Sequence, residues 1–141
     1  MTLTRFSLRV PRPLNIAFLR EDLKHITDLY RDDGFSLMQV DSLFWNGENQ
    51  TLTIHINEGL VSDIEISGNE KIRDYVIARE FGRQKGKVFN WKNIAQAIRN
   101  VYATQLFERV TVDIVETKPT YRLIVSCLLY TSDAADELDG V

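Results

Sequence analysis

The 141-residue chain has room for one ordinary domain or two very small ones. Its 44% hydrophobic and 26% charged residues are typical of a globular fold, and no apolar run approaches the roughly 20 residues that cross a bilayer as a helix. Seventeen basic residues against 20 acidic ones give a net charge of −3, which offers no reason to expect a polyanionic partner.

Residues 1–14 mix Arg5, Arg9 and Arg12 with two prolines and contain no continuous apolar stretch of the signal-peptide kind; Leu8 to Val10 can supply only a strand remnant. A helix is expected from Asn15 to Tyr30. Asn15 is a capping residue, and Leu19, Leu23, Ile26 and Tyr30 recur at helical spacing on one face. Asp33-Gly34 ends it. Residues 37–45 alternate and are expected to set Met38, Val40, Ser42 and Phe44 on one side of a strand. Asn46-Gly47-Glu48-Asn49 turns the chain, and Leu52, Ile54 and Ile56 alternate through the second arm of a hairpin.

Glu58-Gly59 punctuates the chain and a second unit begins. A short strand over Val61–Ile66 runs into the turn Ser67-Gly68-Asn69, and Ile72, Val76, Ile77 and Phe81 mark one face of a helix. Gly82-Arg-Gln-Lys-Gly-Lys87 breaks that helix. Asn90 caps the next, whose inner face is Ile94, Ile98 and Val101. Val110, Val112 and Ile114 alternate in a strand, Thr117-Lys118-Pro119 turns, and Tyr121, Leu123 and Val125 alternate in the last strand. The order is β-α-α-β-β.

Cys127-Leu-Leu-Tyr-Thr-Ser-Asp-Ala-Ala-Asp-Glu137 resembles an in-frame translation of a transposase-based sequencing adapter, so residues 127–141 are set apart as an expected non-native tail. Without that tail, which holds four acidic and no basic residues, 17 basic stand against 16 acidic, a net charge of +1. The sole cysteine also goes, leaving no disulfide framework.

The halves repeat. A shift of 72 residues superimposes Ile26 on Ile98, Leu29 on Val101, Tyr30 on Tyr102, Phe35 on Phe107, Met38 on Val110 and Val40 on Val112. Such a period suggests a tandem of small modules rather than one mixed core. The first unit has no room for an opening helix before Asn15, so it is expected to be the back part of a module, helix plus hairpin.

The segment Glu58-Gly-Leu-Val-Ser-Asp-Ile-Glu-Ile-Ser-Gly-Asn69 is similar to the passage between successive polypeptide-transport-associated (POTRA) modules, with Glu58, Gly59, Gly68 and Asn69 at the junction. Val76-Ile-Ala-Arg-Glu80, Val88-Phe-Asn90 and Tyr102-Ala-Thr-Gln-Leu-Phe107 continue the pattern in order, and Tyr30-Arg-Asp-Asp-Gly-Phe35 matches it in the first unit. The family usually has glycine where Gln105 stands. The resemblance implies an α+β fold of tandem modules: a complete one at 60–126, with a three-stranded mixed sheet and two helices on one face, and a partial one at 1–59, a helix plus a β-hairpin. It also implies the periplasmic face of a bacterial or organellar outer membrane, in a parent continuous with a β-barrel. The implied partners are unfolded outer-membrane or secreted polypeptides and accessory assembly proteins, with no nucleic acid and no cofactor. The family's sheet order sets the strand after the second helix at an edge. Val110, Thr111, Val112, Asp113 and Ile114, with Met38, Gln39 and Val40 in the first unit, are then the expected polypeptide-binding positions, by β-augmentation.

Other chemistry finds little support. His25 and His55 have no cysteine or carboxylate at ligand spacing, and Asp32-Asp33-Gly34 resembles a calcium loop without its remaining ligands. Arg79, Arg83, Lys85 and Lys87 surround a glycine-containing loop that resembles a KH nucleic-acid clamp, but Gly82 and Gly86 have three residues between them instead of two. Such a loop can equally meet an acidic partner or lipid head groups. Ser36 lacks a nucleophile elbow and no triad accompanies it, so no catalytic residue is expected, even if the parent joins a patatin-like hydrolase to a barrel.

Overall fold

The computed structural model describes residues 3–9, 15–68 and 71–130, with side chains over 15–68 and 75–130. Two compact units emerge: Met1–Leu60 together with Val88–Trp91, and Val61–Lys87 together with Lys92–Val141. Among the described residues no helix is long and apolar enough to cross a membrane.

In the first unit, β1 (Leu3–Arg9), α1 (Ile16–Asp32), β2 (Gln39–Asn46) and β3 (Thr51–Asn57) follow in order. The Asn15 side chain starts α1 by accepting from Ala17 N at 2.9 Å and Phe18 N at 3.4 Å, which satisfies two of the amides a helix start leaves unpaired. The end is a Schellman motif. Gly34 N donates to Arg31 O and Phe35 N to Tyr30 O, with Gly34 at φ +102 and the Tyr30 and Phe35 rings meeting edge-on at 5.9 Å. Leu19, Leu23, Ile26 and Tyr30 pack on Met38, Leu52, Ile54 and Ile56, the core of this unit. Each buried aliphatic chain contributes about 1.5–3 kcal/mol.

Two departures from the sequence reading stand out here. The first is β1, longer than a remnant at Leu8–Val10 and paired antiparallel to β3, giving the order β1-β3-β2; Val10 itself lies outside the described residues. This sheet is therefore wholly antiparallel. A single intervening helix returns the chain so that β1 and β2 run the same way on either side of β3, a split β-α-β arrangement. The second is a bulge at Asp41, between the pairs Val40↔Ile56 and Ser42↔His55. One extra residue reverses the alternation beyond it. Leu43 and Trp45 thus oppose the inward Ile54 and Leu52, while Ser42 and Phe44 turn to the outer face with His55 and Thr53. Phe44, expected on the same side of the strand as Met38 and Val40, is 61% exposed.

The second unit comprises β4 (Val61–Ser67), α2 (Lys71–Phe81), a 3-10 turn (Gly82–Gln84), α3 (Trp91–Tyr102), β5 (Phe107–Glu116) and β6 (Tyr121–Leu129). Two helices between β4 and β5 invert the parity: β4 is parallel to β6, β5 antiparallel, and the order β4-β6-β5 is mixed as expected. Ile77, Phe81, Val101, Phe107, Leu123 and Val125 are buried without remainder. Strand β6 runs past Ser126: Cys127, Leu128 and Leu129 stand opposite Val110, Arg109 and Phe107 in the ladder, a main-chain register that any sequence can adopt.

Helix α3 ends through Ala103 N to Arg99 O and Thr104 N to Val101 O, after which Gln105 takes φ +61. A left-handed residue with a Cβ is strained. Gln105→Gly is expected to raise stability by about 0.5–1 kcal/mol after allowing for glycine's greater unfolded freedom. A higher urea midpoint at unchanged m would register it.

Candidate functional site

Both strands expected at sheet edges lie there: β2 in the first unit and β5 in the second. Strand β5 is the longer, ten residues, with a bulge at Glu108 between the pairs Phe107↔Leu129 and Arg109↔Leu128. Beyond the bulge the register is unbroken from Val110↔Cys127 to Glu116↔Tyr121. Val110 N does not pair into the sheet; it donates to the Tyr102 hydroxyl oxygen at 2.9 Å. Antiparallel pairs alternate between bonded and unbonded. The outward orientation of Val110 therefore carries to Val112 and Ile114, whose main-chain groups face the free edge, whereas those of Thr111 and Asp113 face β6. Of the five positions the sequence nominates on β5, Tyr102 already occupies one and two point into the sheet. Among the described residues, Val112 and Ile114 remain open.

The corresponding positions on β2 differ. Met38 lies one residue before the strand, is 1% exposed in the core, and its N–H goes to Phe35 O. Gln39 and Val40 begin the strand opposite Asn57 and Ile56. On the outer face Ser42 Oγ and His55 Nδ1 share a hydrogen bond of 3.1 Å beside the Phe44 ring. Tyr30, which the repeat superimposes on Tyr102, does another job: its hydroxyl donates to Glu58 Oε2 at 2.9 Å. Burial, then the bond to Glu58, pushes its pKa up to about 12, so the neutral, donating phenol is retained from acid through neutral pH.

The junction residues fall between β3 and β4 and just after β4. Gly59 sits at φ +94, where a Cβ would lie 2.8 Å from Leu37 Cβ, and its N–H donates to Asn57 Oδ1. Gly68 follows β4, and Asn69 lies outside the described residues. Among the described residues no three His, Cys, Asp or Glu side chains gather as a metal site. In the basic cluster, Arg79 pairs with Glu80 at 3.3 Å and Lys85 with Asp63 at 3.6 Å. Neither Tyr102 as an edge cap nor the bulges at Asp41 and Glu108 follow from the sequence pattern. The tyrosine was visible as a repeat position, but its hydroxyl partner is set only by the tertiary fold.

A β-α-α-β-β unit with the order first-last-middle strand and two intervening helices defines the architecture of polypeptide-transport-associated modules. The POTRA family model, described as surface antigen variable number repeat, matches residues 60–126. Across both units the fold matches POTRA1-3 of the periplasmic domain of Omp85 from Anabaena, with a TM-score of 0.77 at 24% identity over 89% of this chain and 56% of that one. The N-terminal domain of Omp85 from the thermophilic cyanobacterium Thermosynechococcus elongatus matches with a TM-score of 0.75 at 27% identity, over 85% of this chain and 55% of that one. CdiB from Escherichia coli matches with a TM-score of 0.64 at 22% identity, over 83% of this chain and 22% of that one. The chain thus spans little more than half the length of the two cyanobacterial structures. No curated protein matched.

Proposed function

We propose that the chain is a pair of modules, residues 1–59 and 60–126, that receives extended polypeptide at the edge of β5 and secondarily of β2. It does so on the periplasmic face of an outer membrane, in a parent continuous with a β-barrel. Its clients are unfolded outer-membrane or secreted polypeptides, and accessory assembly proteins dock to the same modules. It is not an enzyme. The observation that carries this reading is the open main chain of Val112 and Ile114 on an edge strand. Main-chain pairing accepts many sequences, which suits a receiver of diverse clients. A docked strand places alternate side chains beside Val112 and the half-exposed Ile114 on one face, and beside Thr111 and Asp113 on the other. Clients that alternate apolar and polar residues fit best. The family identity of the Omp85 structures, one of them named as a periplasmic domain, supports the setting.

Addition of an outer-membrane-protein peptide should shift the amide resonances of residues 110–114. Shifts confined to the helices would sink the proposal, as would salt-sensitive RNA binding with no response to peptide. Tyr102→Phe should accelerate amide exchange at Val110 without peptide and tighten peptide binding about fivefold, since one more edge donor becomes available. Unchanged exchange at Val110 would show that the hydroxyl does not cap it.

A further inference from the structure

A cleft of about 250 Å³ lies between the α2 end and α3 of the second unit, and none of its lining residues belongs to β5. Its walls hold Arg83 and Gln84 from the 3-10 turn, Lys87 from the following loop, and Asn93 and Asn100 from α3. The one carboxylate on the wall, Glu80, is engaged at both oxygens: Oε1 accepts from Asn100 Nδ2 at 2.9 Å and Oε2 from Arg79 Nε at 3.3 Å. Lys85 is drawn off to Asp63. Among the described residues Arg83 and Lys87 make no ion pair, and the side chains of Gln84 and Asn93 make no hydrogen bond. The cleft therefore combines two uncommitted cations and two uncommitted amides, one of them on the positive first turn of α3, around a neutralised acid.

Arginine and lysine side by side suit an oxyanion, and neighbouring amides suit hydroxyl groups. The volume is below that of drug-sized pockets and fits a phosphate with a few attached atoms. We infer that this cleft binds a phosphate-bearing group of about the size of glycerophosphate, with Arg83 and Lys87 on the oxyanion and Gln84 and Asn93 on adjacent hydroxyls. This is independent of strand docking at β5. The phosphate can come from an anionic lipid headgroup or from a soluble ester, and the test separates them.

Glycerol 3-phosphate titrated into the full chain should shift the amides of Arg83, Gln84, Lys87 and Asn93 saturably. Arg83→Gln and Lys87→Gln should each weaken binding about tenfold. Asn93→Leu, which changes no charge, should weaken it as well. If phosphatidylglycerol vesicles, but not phosphatidylcholine vesicles, then cosediment the chain and the same variants abolish this, the headgroup is the source. Saturable binding of the ester without vesicle binding assigns a soluble source. Absence of saturable shifts overturns the inference. So does an equal loss on Arg109→Gln, a cation outside the cleft, because the effect would then be overall charge alone.

Discussion

Phe107→Ala is expected to cost the second unit about 3–5 kcal/mol. Phe107 is 0% exposed at the head of β5, immediately before the bulge at Glu108. Truncation removes its transfer free energy and leaves a cavity that the neighbouring main chain, held in register to Leu129, cannot close. A unit of this size has only a few kcal/mol of net stability. Amide resonances of residues 61–87 and 92–130 should therefore collapse towards unfolded positions in dilute urea, while Phe107→Leu keeps most of the stability. A loss below about 1 kcal/mol would contradict a core role for this ring.

The second large effect concerns binding. Ile114→Pro removes a main-chain donor that faces the open edge, a position where sheets tolerate proline. It should leave the fold in place and weaken an edge-docked peptide by at least about tenfold, since a main-chain pair is lost and the ring obstructs the incoming strand. Asp113→Pro is the contrast. Its N–H faces β6 opposite Ile124, so it should destabilise the sheet by about 3 kcal/mol or more. Peptide titrations and urea unfolding of the two variants should give opposite patterns. Equal effects on stability would show that the register inferred from Val110 and Tyr102 is wrong.

Much of the fold was legible because local signals agreed with tertiary ones. Asn15, the Asp33-Gly34 stop, the Asn46-Gly47 turn and the alternation of Leu52, Ile54 and Ile56 each fixed an element without reference to the rest. The 72-residue repeat added modularity. Direction and phase were not local. Whether an opening strand runs parallel or antiparallel follows from the number of helices crossed, so β1 fell outside what residues 1–14 could announce. The bulge at Asp41 is one residue in a polar strand end, and counting straight through it turned Phe44 inward.

The candidate site was legible as strands and not as atoms. The family's sheet order marked β5 and β2 as edges, but which amides face out depends on the Tyr102 hydroxyl and on the register to β6. Gln105 was legible as a departure from the usual glycine, and its positive φ gives that departure a physical meaning. The basic cluster was visible in sequence as four cations. Only the fold reveals that Arg79 and Lys85 are already partnered, by an adjacent glutamate and by an aspartate on β4, leaving Arg83 and Lys87.

Amide hydrogen exchange at saturating peptide tests the edge-docking claim most directly. Val112 and Ile114 should gain protection on binding, while Thr111 and Asp113, already paired to β6, should change little. Protection without that alternation, or gained only along α2 and α3, would contradict strand addition at β5.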